Sequence, residues 1–441
     1  HGKFRRQRQM CIRDRPMQNA VEASKHARNA LALLFCAYAL SITDRMILSV
    51  LFEPIRLEFG ASDTQMGLLG GLSFALFYAT LGLPIARLAD RHQRRLIIVF
   101  SLALFSLMTA MSGLAASFLM LFLFRIGVGI GEAGVNPASQ SIIADYYPEQ
   151  RRGMAMSILA VGAPVGMITG FLVGGTVSEY YGWRAALYAV GLPGLVLAAL
   201  MFLLLREPVR GNSDKPSANA ESERTMGFAA SVKFMVGHPA MRQLIIASTL
   251  TGMGAYAAST WIPAFFIRVH ALSQSQVGLL MALVFGGLGA AGTLLGGKLF
   301  DRLSLKGPGL GVRMIAIAQV MTIPFALVAY SVDSLALTIG FFIVPAFAAN
   351  FFLGPSLAMI QTLAPLPMRA TAAAIKMFCL NLVGMSLGPL FVGLISDALM
   401  PTYGAKSLPM ALASLSIFGV WPALHFWLCG RALEQAAPQQ S

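Results

Sequence analysis

Two acidic and two basic side chains sit inside apolar stretches of this chain: Asp44 and Arg45 in one, Arg125 and Glu132 in another. Arg125 and Glu132 are seven residues apart, so a helix puts them on one face, roughly 10 Å apart along its axis. A charge at the centre of a membrane helix costs about 2.5–3.5 kcal/mol on insertion scales, so such residues face a bundle interior or an aqueous cavity. Burial opposes ionisation of a carboxylate while a nearby guanidinium favours it, and that opposition is what a reversible proton site needs. Arginines beside it can grip an anionic head group through planar, multidentate hydrogen bonds. The competing reading is structural: two salt bridges that only hold two helices together. Counted from the helix ends, Asp44 and Arg125 fall at similar depth and can pair. Glu132 lies about two turns deeper, towards Arg45.

The element that carries the second pair reads FRIGVGIGEAGVNPASQSIIADYYPEQRR over 124–152. Its Gly127, Gly129, Gly131 ladder lets a neighbouring backbone approach closely. The stretch is read as the lining of a polar path through a membrane.

Composition agrees. The 441 residues are 56% hydrophobic and 12% charged, with a mean hydropathy of +0.69, whereas soluble domains carry about 25% charged residues. A net charge of +14 could suit nucleic acid, but the basic residues lie between apolar spans, which favours a topology signal over a nucleic-acid surface. Cys11, Cys36, Cys379 and Cys429 show no paired spacing, so neither a disulfide framework nor a metal site is expected. There is no P-loop, His-Glu-x-x-His or Cys-x-x-Cys motif.

Apolar windows long enough to cross a bilayer fall near 30–52, 64–86, 95–115, 117–144, 152–177 and 184–205, then near 242–267, 275–298, 311–331, 333–361, 370–396 and 408–430. The expected fold is therefore all-α and integral to the membrane, with twelve transmembrane helices in two six-helix bundles. The expected organisation is a tail at 1–28, a first bundle at 29–205, a polar linker at 206–240, a second bundle at 241–430 and a tail at 431–441. Residues 1–16 lack an initiating Met and an apolar core; they are read as a candidate translation artefact, with Met17 as the expected start. Residues 227–236 are expected to form a short interfacial helix.

Arginines and lysines concentrate on the side of the tails, the linker and the loops at 87–95, 151–152, 298–313 and 369. The positive-inside rule then puts both termini in the cytoplasm, and the expected location is a bacterial inner membrane.

The halves are repeats. A shift of 218 residues brings Pro137 onto Pro355, Arg151 onto Arg369, Gly170 onto Gly388 and Glu179 onto Asp397. A shift of 211 aligns TQMGLL (64–69) with SQVGLL (275–280) and Asp90-Arg91 with Asp301-Arg302. The buried charges do not recur: Arg125 meets Ile343, Glu132 meets Asn350, Asp44 meets Ala255 and Arg45 meets Tyr256. A requirement of the fold alone would recur in both halves, so these charges lean towards function. Two parallel halves with a site between them is a transporter architecture.

The loops ARLADRHQRR (86–95) and GKLFDR (297–302) resemble the signature of the major facilitator superfamily, with Ala86 and Gln93 standing where its pattern has glycine. VGAPVGMITGFLVGG (161–175) resembles the glycine-rich fifth-helix motif of its antiporters, and Thr43-Asp44-Arg45 joined to GIGEAGVNPASQSIIADYYP is similar to the spinster branch. That resemblance implies a proton-linked transporter of lysophospholipids or phosphorylated sphingoid bases. It implies Glu132 and Asp44 as proton-coupling residues and Arg45 and Arg125 as a head-group network, to which Lys376 is added. For Lys376, two turns into the eleventh span, snorkelling to the cytoplasmic face is favoured over a cavity role. The resemblance also implies a cytoplasmic gate at Asp90, Arg91, Arg94, Asp145, Asp301 and Arg302. In it Asp90 would engage the eleventh helix near Ala370, and Asp301 the fifth near Arg152.

The leading expectation is an amphiphile porter with a proton gradient as driving ion, no cofactor, the bilayer as partner and a monomeric state. A porter of small organic anions or drugs is the alternative. A membrane lipid enzyme ranks below both, since no nucleophile–base pair or metal cluster is found.

Overall fold

The computed structural model describes residues 2–209, 228–365 and 368–436, with side chains left out at 2–24, 83, 86, 90, 149, 228 and 370. The chain is built of helices. In the first half α1 spans Gly2–Phe59, and is apolar enough to cross a bilayer from Lys25 onward. It is followed by α2 (Asp63–Ala89), α3 (Arg94–Ser112) and α4 (Phe118–Tyr146). The stretch Glu149–Leu204 folds back at Gly182, whose φ of 84° is open to glycine, and so provides α5 and α6.

The second half repeats this. A ten-residue helix at Phe228–Gly237 precedes α7 (Pro239–His270). Then come α8 (Gln274–Ser304), α9 (Leu310–Ser331) and α10 (Leu335–Leu363). The stretch Thr371–Ala436 reverses at Gly404 (φ 53°) into α11 and α12. The described residues thus hold the twelve expected crossings, within a few residues of the windows read from sequence. The expected linker is described only up to residue 209 and from 228 on; its centre lies outside the described residues.

Interhelical distances are set by glycine. A Cβ on Gly166 or Gly170 of α5 would lie 2.3 Å from Ala39 O or 2.7 Å from Thr43 O of α1, so only glycine lets those helices run in contact. The ladder of α4 acts likewise: a Cβ on Gly129 would lie 2.5 Å from Phe74 O of α2, and one on Gly131 2.6 Å from Phe105 N of α3. Helix α4 breaks at Ala133–Gly134, directly after Glu132, and α10 breaks at 349–352, around the matching Asn350.

An even number of crossings leaves both termini at one end. At the opposite, far end one apolar core joins the halves, with Leu51, Phe52 and Phe171 packed with Trp261, Phe265 and Val277. Towards the termini the core divides into two clusters, one per half save for Met385. At the far end a Cβ on Gly67 or Gly71 of α2 would lie 2.6 Å from Pro389 O or 2.5 Å from Ser386 O of α11. At the termini end, a Cβ on Gly82, Gly153 or Gly297 would meet nothing within 4 Å. The halves close together at the far end and separate towards the termini.

Candidate functional site

The four buried charges resolve into two ion pairs between α1 and α4. Arg45 reaches Glu132 Oε2 through Nη2 at 2.6 Å and Nε at 2.7 Å, and Ser41 Oγ donates to the same oxygen at 2.7 Å. Glu132 Oε1 is buried without a hydrogen-bond partner among the described residues. The second pair is Arg125 Nη1 to Asp44 Oδ2, at 2.9 Å, with Thr109 Oγ1 of α3 donating to Asp44 Oδ1. Arg125 is 2% exposed and Asp44 0%. Phe74 lies between the pairs, its ring centroid 4.9 Å from the Arg45 guanidinium carbon and 6.0 Å from that of Arg125.

Aromatic rings enclose Arg45. The Tyr78 centroid is 4.4 Å from its guanidinium carbon, with Tyr38 of α1 also nearby. From the other half, Tyr256 of α7 approaches the same cation. Cation–π contact with desolvated rings holds a guanidinium by about 2 kcal/mol or more.

Both pairings anticipated from depth along the helices are present. Ser41, Thr109, Phe74, Tyr38 and Tyr78 were not singled out from the sequence. Ser41 carried a signal, lying four residues before Arg45 on the same helical face. Tyr256 carried another: it is the position the internal repeat matches to Arg45, which had been read only as a charge lost from the second half.

Lys376 departs from expectation. It does not snorkel; its side chain is 0% exposed, and Nζ donates to Ser356 Oγ of α10 at 2.7 Å. Among the described residues it forms no ion pair. Packing turns this face of α11, with Ala372 and Leu380, into the core that holds Phe352 and Ile360.

Arg94 and Asp145, expected at the cytoplasmic gate, lie together at the termini end of the first half. They pair with each other, and Arg94 further binds Glu207 at 2.8 Å and Ser141 Oγ at 2.9 Å. These contacts tie α3 to α4 and to the segment after α6, within one half, and do not bridge to the other. The physical reason is burial: Arg94 is 3% exposed, turned into its own bundle. Arg91, Asp301 and Arg302 are exposed at the termini end. The Asp301 carboxylate has no partner among the described residues, so the implied contact with α5 is not made in this conformation. The side chains of Asp90 and Ala370 are not among those described.

The second half offers a different surface. A cavity of about 160 Å³ lies between α7, α9, α10 and α12, lined by Ala258, Phe285, Phe342, Ala346 and Tyr330 among others. Its main polar feature is Gln319, which donates to Thr251 Oγ1 at 2.7 Å and leaves its own Oε1 buried and unpartnered. The buried ion pairs of α1 and α4 thus lie in one half and this apolar cavity in the other.

The family model described as Major Facilitator Superfamily matches residues 34–389. An MFS-type efflux pump of Mycolicibacterium smegmatis is 31% identical over 408 residues, covering 92% of each chain. Protein spinster homolog 1 of Xenopus tropicalis is 26% identical over 424 residues, covering 90% of this chain and 79% of that one. The crystal structure of a bacterial homologue of the human lysosomal transporter Spinster, inward-facing and unoccupied, superposes with a TM-score of 0.86. It is 30% identical and covers 94% of this chain and 99% of that one.

Proposed function

This chain belongs to the major facilitator superfamily as a spinster-like secondary transporter rather than an enzyme, and from that premise we propose that it carries an amphiphile with an anionic or zwitterionic head, linked to protons. The observation that carries the reading is the uneven grip on Glu132. One oxygen takes three donors while the other is buried without a partner among the described residues, so a proton can add at Oε1 without first displacing Arg45. Once Glu132 is neutral, Arg45 is released from its counter-charge and can meet a phosphate-like or carboxylate head. Asp44 is the second coupling residue. Arg125 and Lys376 complete the charge network, and the apolar lining of the second half suits a hydrocarbon chain.

In this reading the separated end is cytoplasmic, following the basic loops, and the conformation is inward-open. Asp90 and Asp301 then close that side when the halves rock, each against a helix N-terminus of the opposite half. The protein works as a monomer in a bacterial inner membrane, with no cofactor beyond the proton gradient.

Small organic anions or drugs are the second reading, favoured by the relative named as an efflux pump. Flux into proteoliposomes under an imposed pH gradient separates the two. Uptake of lysophospholipids or sphingoid phosphates with proton movement supports the first. Transport of short-chain anions or drugs alone supports the second. Orientation is checked by cysteines at 213 and 403, which should label from opposite sides of intact cells.

A further inference from the structure

The hydrogen bonds and ion pairs described between the two halves lie at the far end, and the internal repeat organises them. Asp397, at the end of α11, accepts from the backbone N of Asp63 at 3.0 Å and of Thr64 at 2.7 Å, capping α2 of the other half. Glu179, at the end of α5, accepts from Ser275 N and Ser273 Oγ, both at 2.7 Å, capping α8 of the other half. The two carboxylates are related by the 218-residue shift, and the two capped helix starts by the 211-residue shift. Each half therefore clasps the other with the same device, a carboxylate on an opposing helix N-terminus, where the dipole and free N–H groups favour negative charge.

One element has no mirror. Arg268 of α7 binds Asp63 through Nη1 and Nη2, both at 2.8 Å, and Glu53 of α1 through Nε at 2.5 Å. Ser396 Oγ adds a bond to Asp63 Oδ2 at 2.6 Å. The residue 211 positions before Arg268 is Leu57. Asp63 is 2% exposed, whereas Glu179 is exposed and Ser273 half-buried.

We propose that Glu179, Asp397 and the Asp63–Arg268–Glu53 cluster form the outer gate of the transport cycle: two repeat-related clasps, one of them bolted by Arg268. The bolted α2–α11 side is the strong one, and the exposed α5–α8 clasp, screened by salt, is the first to part. The gate rests on alternating access in this family and on the termini side being cytoplasmic, and not on the identity of the substrate.

The test reads conformation without substrate or gradient, so its failure is separate from failure of the transport reading. Spin labels replace Tyr181 and Lys406 at the far end, and Met154 and Leu305 at the termini end, with the four native cysteines removed. Arg268→Gln and Asp397→Asn should raise the ratio of far-end-open to far-end-closed molecules by about tenfold, as expected for losing charge-assisted bonds. The termini-end distance should shorten in step. Glu179→Gln, at an exposed position that does not threaten folding, should give a smaller shift, and high salt should mimic it in the wild type. Unchanged distances in all three variants overturn the gate. Far-end lengthening without termini-end shortening also overturns it, since the contacts would then be local staples.

Discussion

Arg45 holds Glu132 by one oxygen only: both guanidinium contacts, at 2.6 and 2.7 Å, fall on Oε2, and Oε1 is left buried and unpartnered. A bidentate fork would have engaged both oxygens, whereas here a proton can add at Oε1 without meeting a bound donor. The asymmetry sets the behaviour expected of this site.

Glu132→Gln keeps the shape of the side chain and a hydrogen-bond acceptor for Arg45, so the fold should survive. Transport should lose its response to an imposed pH gradient. A proton moving down 100 mV supplies about 2.3 kcal/mol, enough for roughly fifty-fold accumulation at one-to-one coupling. Accumulation in the variant should fall towards equilibration; a wild-type response would make Glu132 structural.

Affinity should rise on acidification from about pH 8 to 6. With Asp44 and Glu132 ionised, the four charges of α1 and α4 sum to zero; protonating Glu132 leaves one positive charge for the anion. Proton and anion then bind with positive coupling, and each tightens the other equally. Each buried CH₂ of the ligand should add up to about 0.8 kcal/mol. Titrating a chain-length series at two pH values tests both. Affinity independent of chain length removes the lipid reading, and weakening on acidification removes the anion reading.

Asp44→Ala should be the more damaging change to stability. It strips the counter-charge from Arg125, which is 2% exposed, and breaking such a buried pair costs about 3–5 kcal/mol. Thr109→Val removes one bond to a charged group, about 1.5–3 kcal/mol. Thermal unfolding in detergent should rank them in that order. Equal, negligible shifts would mean that water replaces these partners.

Lys376→Met should leave stability unchanged or raise it, since a buried amine bonded to one hydroxyl is replaced by an apolar chain of similar volume. Transport of an anionic amphiphile should nonetheless slow. Unaltered flux with a more stable protein would remove Lys376 from the charge network.

Local pattern sufficed for the framework of this protein. Twelve apolar windows, the repeat shifts of 218 and 211, and the seven-residue spacing of Arg125 and Glu132 are properties of the chain in one dimension. Hydropathy and helical periodicity translate them directly into spans and faces. Depth along a span even indicated which carboxylate meets which arginine.

What the sequence could not decide is rotation and contact across helices. Lys376 is near the end of its helix, where snorkelling is the local rule, yet tertiary packing turns it inward to Ser356. Arg94, at the start of α3, and Asp145, near the end of α4, bind each other inside one bundle, a pairing the loop motif did not name. Glu179 and Asp397 were visible only as a matched pair in the repeat, and their role as clasps depends on α5 meeting α8 and α2 meeting α11. Those meetings are fixed by backbone approach, such as Gly175 against Gln274 O and Gly393 against Asp63 O, at 2.4 and 2.3 Å from where a Cβ would stand. A glycine in the sequence permits such an approach but does not name the carbonyl that will fill it, because the partner is chosen by the packing of all the helices at once.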